Sequence, residues 1–280
     1  MRWKGQRKST NVEYSRGGRM ARGGAKMGIG TIAVVLIISF VTGKNPLSLM
    51  QMVGGSQQRS APQTVNAPRS AAEKELEDFA VTILASTEDA WQAEFKRRGS
   101  NYPKPRMKIF SGNVSTACGV NSEATGPFYC PGDQKVYLAV SFFNQLKRMG
   151  APGDFAQAYV IAHEVGHHIQ NVTGTEKKMR AMQQRDPRNA KKYSVMLELQ
   201  ADCYAGVWAA LSEKQRNWLE SGDVEEGLQA AASIGDDTLQ RNAGRRVDTE
   251  SFTHGSSEQR IYWLRKGMST GDLSQCDTFK

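Results

Sequence analysis

Several stretches of the chain carry a legible pattern of apolar and polar positions. Residues 27–43 (MGIGTIAVVLIISFVTG) form an uncharged apolar run bounded by Lys26 and Lys44, short but sufficient to cross a bilayer as a helix. From Glu73, the positions Leu76, Phe79, Ala80, Ile83, Leu84, Trp91 and Phe95 recur at helical spacing until Gly99, which predicts one long amphipathic helix with its aromatics in the core. Residues 101–110 turn through two prolines into a strand candidate, MKIF, and 111–135 reads as loop. In 134–143 (QKVYLAVSFF), Val136, Leu138 and Val140 alternate with Tyr137 and Ala139, a strand by period and propensity, with a short helical stretch after it. Asp154 is placed to cap the next helix, in which Phe155, Ala158, Ala162, Val165, Ile169 and Val172 recur every three or four residues until Gly174. A charged segment, 175–193, breaks at Asp186–Pro187, and Leu197–Leu211 follows as a largely apolar helix. Residues 213–243 read as further helix with Asp223 as a cap, and Ser256 with Gln259 forms a capping box for a last one.

These elements predict an α+β domain, mainly helical with a small sheet, over 73–280. Residues 44–72, rich in Pro, Ser, Gln and Gly, read as a flexible tether. The chain carries a net charge of +9, which raises nucleic acid or an acidic membrane surface as partners. Its distribution argues against nucleic acid. Residues 1–26 hold eight basic side chains and one acidic, a net of +7, so the other 254 residues carry only +2. Basic residues ahead of an apolar run hold that end in the cytoplasm. The expectation is therefore a basic cytoplasmic segment, 1–26, an uncleaved transmembrane signal anchor, 27–43, and an exported domain. No small-residue cleavage pattern follows the run, which argues against a removable signal peptide.

Four cysteines, all after residue 43, suit an oxidising compartment. Three pairings are possible. The short Gly- and Pro-containing segment between Cys118 and Cys130 favours that pair, leaving Cys203 with Cys276; four reduced, buried thiols are the alternative.

The chemistry lies in AHEVGHHIQ, residues 162–170. His163 and His167 stand about 40° apart around a helix axis and one turn along it, so both imidazoles can close on one Zn²⁺. Glu164, beside the first of them, can hydrogen-bond a zinc-bound water and take its proton. His168 lies about 140° round from His163 and is poorly placed as a ligand, which leaves it a polar histidine or one that supports the site from behind a ligand. A catalytic zinc site needs a third protein ligand and an open fourth position. Glu198 is the candidate, with Asp202 one turn later on the same face. They are the only acids between Leu197 and Leu211, and a buried carboxylate pair needs a cation. Asp202 is spaced to hydrogen-bond the outer nitrogen of a ligand histidine and fix its tautomer.

H-E-x-x-H followed by E-x-x-x-D on a second helix resembles the gluzincin metallopeptidases. With GPFYCP (126–131), ELQADCYAGVW (198–208), IGDD (234–237) and FTHGSSEQR (252–260), the chain more closely resembles the bacterial family of putative neutral zinc metallopeptidases. The resemblance implies a zincin-like domain with one Zn²⁺ per chain, held by His163, His167 and Glu198, with Glu164 as the base. The anchor places that domain outside the cytoplasm, periplasmic or extracellular, where its substrates would be peptides or proteins. His254, in the last motif, is a candidate hydrogen-bond donor to the reacting carbonyl oxygen, against a structural loop histidine. Asp236 and Asp237 read as caps of a turn or as supports for the site.

The reading is a membrane-anchored zinc metalloendopeptidase, with strand 134–142 as an edge against which an extended substrate pairs. The alternatives are a non-hydrolytic, membrane-tethered protein that uses zinc to hold a binding or chaperone-like domain, and a hydrolase of non-peptide amides. Glu164, unnecessary to a structural zinc, favours catalysis.

Overall fold

A computed structural model describes residues 1–16 and 70–280. Its centre is a pair of helices, α3 (Asp154–Val172) and α5 (Ala190–Arg216), which carry the two halves of the zinc motif. They cross at Gly166, where a Cβ would lie 3.0 Å from the carbonyl oxygen of Ala201, a contact tight enough that glycine allows the closest approach. On the far side of α5 lies α8 (Ser257–Thr270), closer still. A Cβ on Gly206 would stand 2.2 Å from Leu264 O, and one on Gly267 would stand 2.0 Å from Cys203 O. Two glycines facing one another therefore set the separation of these helices.

The long helix α1 (Ala71–Arg97) packs across α3 and α5, burying Phe79, Ile83, Leu84 and Trp91. Ser70 and Glu73 form its capping box, and Gly99 follows its end at φ +72°. The wall opposite is built from Phe155, stacked on Trp208, and from Trp218, edge-on to the same indole. Helix α6 (Asp223–Ser233) closes this side against α3.

The sheet has four strands: β1 (Val12–Arg16), β2 (Arg106–Ser111), β5 (Phe128–Cys130) and β6 (Lys135–Leu138), in the order β1-β2-β6-β5. β1, β2 and β6 run parallel, and β5 returns antiparallel, with Tyr129 opposite Val136. A separate hairpin, β3 (Asn113–Thr116) with β4 (Gly119–Ser122), lies in the region read as loop. Cys118 at its turn is joined to Cys130, and Cys203 on α5 is joined to Cys276 near the C-terminus, the pairing favoured by the sequence.

Several expectations change. The strand expected over 134–143 stops at Leu138, because Phe142 N and Phe143 N already bond back to Ala139 O and Val140 O to start α2 (Phe142–Arg148). β6 is also interior, its backbone taken by β2 on one side and β5 on the other, so it offers no edge to a substrate. Gly153 and Gly222, rather than Asp154 and Asp223, occupy the cap positions of α3 and α6.

The larger correction is at the N-terminus. Residues 1–16 are part of the domain and not a segment apart from it. Val12–Arg16 pairs in register with Met107–Ser111, and Met1 is buried in the core. Three of the eight basic residues that suggested a cytoplasmic segment are matched by acids of α1: Lys4 with Glu75, Arg7 with Glu88 and Asp89, Lys8 with Asp78. Glu88, 1 % exposed, also accepts from Ser9 and Asn11. The Met1 α-ammonium bridges Asp154 and Asp223 at the entrance to α3 and α6. A single crossing over 27–43 would put residues 1–16 and 70–280 on opposite faces of a bilayer, whereas the β1–β2 pairing needs them on one. The run 27–43 and the tether from 44 to 69 lie outside the described residues. Among the described residues, no helix is long and apolar enough to cross a membrane.

Candidate metal centre

α3 and α5 bring His163, His167 and Glu198 to one place, with one donor atom from each lying within 4.8 Å of the others. Glu198 Oε2 lies 3.1 Å from His163 Nε2 and 3.6 Å from His167 Nε2. Tetrahedral ligation at ordinary zinc–nitrogen and zinc–oxygen lengths places donors about 3.3 Å apart. The observed pair of distances brackets that value, so the three side chains fit a small tetrahedral cation. The imidazoles stand edge to face, centroids 4.8 Å apart. Two imidazole nitrogens and a carboxylate are a donor set zinc accepts.

The outer nitrogen of each histidine is held. His163 Nδ1 donates to Asp202 Oδ1 at 2.8 Å, as the E-x-x-x-D spacing predicts. Asp202 is fully buried and is held in turn by two residues the sequence reading missed. Tyr159 donates its hydroxyl at 2.6 Å, and Arg260 from α8 makes two bonds at 2.9 Å each. Arg260 also reaches Tyr159 Oη at 3.1 Å and Ile234 O at 3.3 Å. One signal pointed to it: Arg260 shares a helical stripe with the buried Leu264 and Gly267, and a cation on such a stripe must face an anion. His167 Nδ1 meets Gln170 Oε1 at 2.9 Å.

The charges follow. Burial works against ionisation of Asp202, but Arg260 and His163 overcome it and hold its carboxyl below the usual range. Burial likewise opposes the imidazolium of His163, yet Asp202 and Glu198 push it up to about 10. The cluster is a cation-seeking one. Glu164 is on the same helix, 9 % exposed, and its charge is felt at His167.

His168 is no part of the cluster. It is fully buried, donates from Nε2 to Pro103 O at 2.6 Å and accepts at Nδ1 from Tyr129 Oη at 3.0 Å. Asn171 donates to the same hydroxyl, so β5 is clamped to the outer side of α3. His254 is not one of the three clustered donors, but its charge helps hold the Glu198 carboxyl below its usual range. Its Nδ1 lies 2.9 Å from Thr253 Oγ1 and 3.3 Å from Asp236 Oδ1. Asp236 Oδ2 gathers the backbone N–H groups of Thr253, His254 and Gly255 at 2.7, 2.7 and 3.1 Å. Asp237 does the corresponding work for Ser257. The loop carrying His254 is thus wound around one carboxylate.

This arrangement accompanies a match along nearly the whole chain: residues 1–279 fit the family described as "Putative neutral zinc metallopeptidase". The chain belongs to this family. It is similar to the "Uncharacterized protein YpfJ" of Escherichia coli (strain K12), 44 % identical over 289 aligned positions that take in 100 % of this chain and 99 % of that protein. It is also similar to the "Uncharacterized protein Rv2575" of Mycobacterium tuberculosis, 40 % identical over 212 positions, 72 % of this chain and 71 % of that one. No solved structure matches it. Family membership supports a zinc-dependent peptidase at the level of the group; the roles of individual residues rest on the geometry above.

Proposed function

We propose that the protein is a zinc-dependent endopeptidase acting on extended peptides, with His163, His167 and Glu198 as the ligands of one Zn²⁺. The observation that carries the reading is the company of these three donors. Both imidazoles are oriented by buried partners, and Glu164, a carboxylate the coordination does not need, stands beside them. Bound zinc would polarise the scissile carbonyl and lower the pKa of its water toward 7.

The chain's own residues supply the remaining steps. Glu164 accepts the proton of the attacking water and returns it to the leaving nitrogen, a shuttle that needs no other base. Asp202 and Gln170 keep the proton of each ligand imidazole on Nδ1, leaving Nε2 to face the metal. His254, with Nδ1 turned to Thr253 and Asp236, is left with Nε2 to donate to the carbonyl oxygen as charge develops there. β5 replaces the strand expected from the sequence as the edge for a substrate. It ends the four-stranded sheet and is fastened to α3 through Tyr129, so a peptide adding to it would lie along the zinc helix. Two disulfides support an oxidising, extracytoplasmic location. If 27–43 associates with the membrane, it does so without carrying residues 1–16 to the far face.

Glu164→Gln tests the reaction. The variant should bind zinc one to one like the parent and lose hydrolysis of a fluorescence-quenched peptide library. Equal cleavage by the two zinc-loaded proteins would remove Glu164 from the reaction. Absence of cleavage by the zinc-loaded parent across broad libraries would favour the non-hydrolytic binding protein.

A further inference from the structure

The hydrogen bonds behind His167 have a polarity that can be assigned from two backbone carbonyls. Gln170 Nε2 lies 2.6 Å from Leu197 O, which can only accept, so the amide nitrogen must point there. Gln170 Oε1 therefore faces His167 Nδ1, which must carry the hydrogen. The second N–H of Gln170 is directed to Gln200 Oε1 at 3.2 Å. Gln200 is oriented by the same logic, since its Nε2 donates to Cys276 O at 2.9 Å. Cys276 is bonded to Cys203, the neighbour of Asp202 on α5, and Thr278 ties the same tail to Met196 O. Gln170, Gln200 and Cys276 are 0, 5 and 1 % exposed.

Two buried amides in series, each satisfied at both ends, are costly to place in a core unless every bond is made. At its other end this line of hydrogen bonds reaches His167. This line shares no hydrogen bond with the charged one that holds His163, although both run between α3 and α5; its far end is the C-terminal tail and not α8. We propose that Gln170 and Gln200 are positioning residues for His167, with the Cys203–Cys276 disulfide as the far anchor, so that the C-terminal tail helps set the zinc affinity of the site. The proposal rests on the metal reading given above. It adds a role for the second disulfide beyond stabilising the fold.

The test measures zinc affinity by chelator competition on the full chain. Wild type is compared with Gln170→Met, Gln200→Met and the double variant Cys203→Ala/Cys276→Ala, with the absorption spectrum of each cobalt-substituted protein recorded. Loss of partners behind a ligand typically weakens binding about 10–100-fold. That range is expected for Gln170→Met, with a smaller loss for Gln200→Met and the double variant, and altered cobalt bands in all three. Unchanged zinc affinity and cobalt bands in a folded Gln200→Met variant overturn the relay. A wild type that binds no zinc overturns the metal reading instead. Should a variant fail to fold, long-range proton–nitrogen NMR of zinc-loaded wild type decides. Nδ1–H at His167 with slowly exchanging Gln170 and Gln200 amides supports the relay, and Nε2–H or fast exchange overturns it.

Discussion

The guanidinium of Arg260 clamps the carboxylate of Asp202 at two points, Nε 2.9 Å from Oδ2 and Nη2 2.9 Å from Oδ1. Arg260 is 2 % exposed and Asp202 fully buried, so neither charge has water to fall back on. The pair couples the last helix to the helix bearing Glu198, and through Asp202 to His163.

Removing one partner of such a pair leaves a buried charge, at a cost of about 3–5 kcal/mol. Arg260→Met should lower stability by that amount in urea unfolding of the metal-free protein. It should also weaken zinc binding, because His163 loses its fixed partner. Arg260→Lys should recover part of the stability only, since an ammonium cannot make both bonds in the plane of the carboxylate. An Arg260→Met protein as stable as its parent would show that the clamp contributes little.

His254→Gln should cut kcat by about 10²–10³, the usual loss for one donor to a developing oxyanion, with zinc still bound one to one. Asp236→Asn should give a smaller fall, because the loop keeps some of its backbone bonds to the remaining carbonyl oxygen. Kinetics at saturating substrate alongside metal analysis check both. Loss of zinc from the His254 variant would move that residue from the reaction to the structure.

Much of the centre was legible in the sequence because it is written within two helices. H-E-x-x-H and E-x-x-x-D are spacings along one helix each, and helical geometry alone fixes which side chains share a face. The same geometry removed His168, and burial against Pro103 and Tyr129 accounts for it. The partners that hold the ligands were harder to see, since Arg260 meets Asp202 across 58 positions and Gln200 meets Cys276 across 76. Periodicity says that a position is buried and not what it is buried against. The N-terminus misled for a related reason. A run of Lys and Arg has the same composition whether it faces a cytoplasmic membrane surface or the acids of α1. Only the pairing of Lys4, Arg7 and Lys8 with Glu75, Glu88, Asp89 and Asp78 distinguishes the two.

The glycine contact between α5 and α8 gives a sharper test of packing. A methyl group at residue 267 would stand 2.0 Å from Cys203 O and 2.9 Å from Val207 N, backbone atoms that cannot turn aside. Gly267→Ala should therefore force the helices apart, at about 1–3 kcal/mol or more. It should also draw Arg260 from Asp202, weakening zinc binding without touching any ligand. Gly166→Ala, with its nearest contact at 3.0 Å, should be milder in unfolding experiments. The reverse order would mean that the α3–α5 crossing, and not the α5–α8 one, sets the frame.

The α-ammonium of Met1 predicts how stability depends on pH. Burial disfavours its charge, but the bonds to Asp154 and Glu220, with the field of Asp223, raise its pKa from 8.0 to about 10. A group whose pKa is higher folded than unfolded binds its proton more tightly in the native state. Its contribution is therefore complete below pH 8 and is lost as pH rises from 8 through about 10. Asp223→Asn removes the buried one of the carboxylates that the ammonium contacts, at 3.3 Å. The stability difference between wild type and Asp223→Asn, read by urea unfolding, should be largest near pH 7 and narrow by pH 10.5. A difference constant across that window would mean that Asp223 acts through its bond to the Glu220 backbone at 2.8 Å and not through the terminal charge.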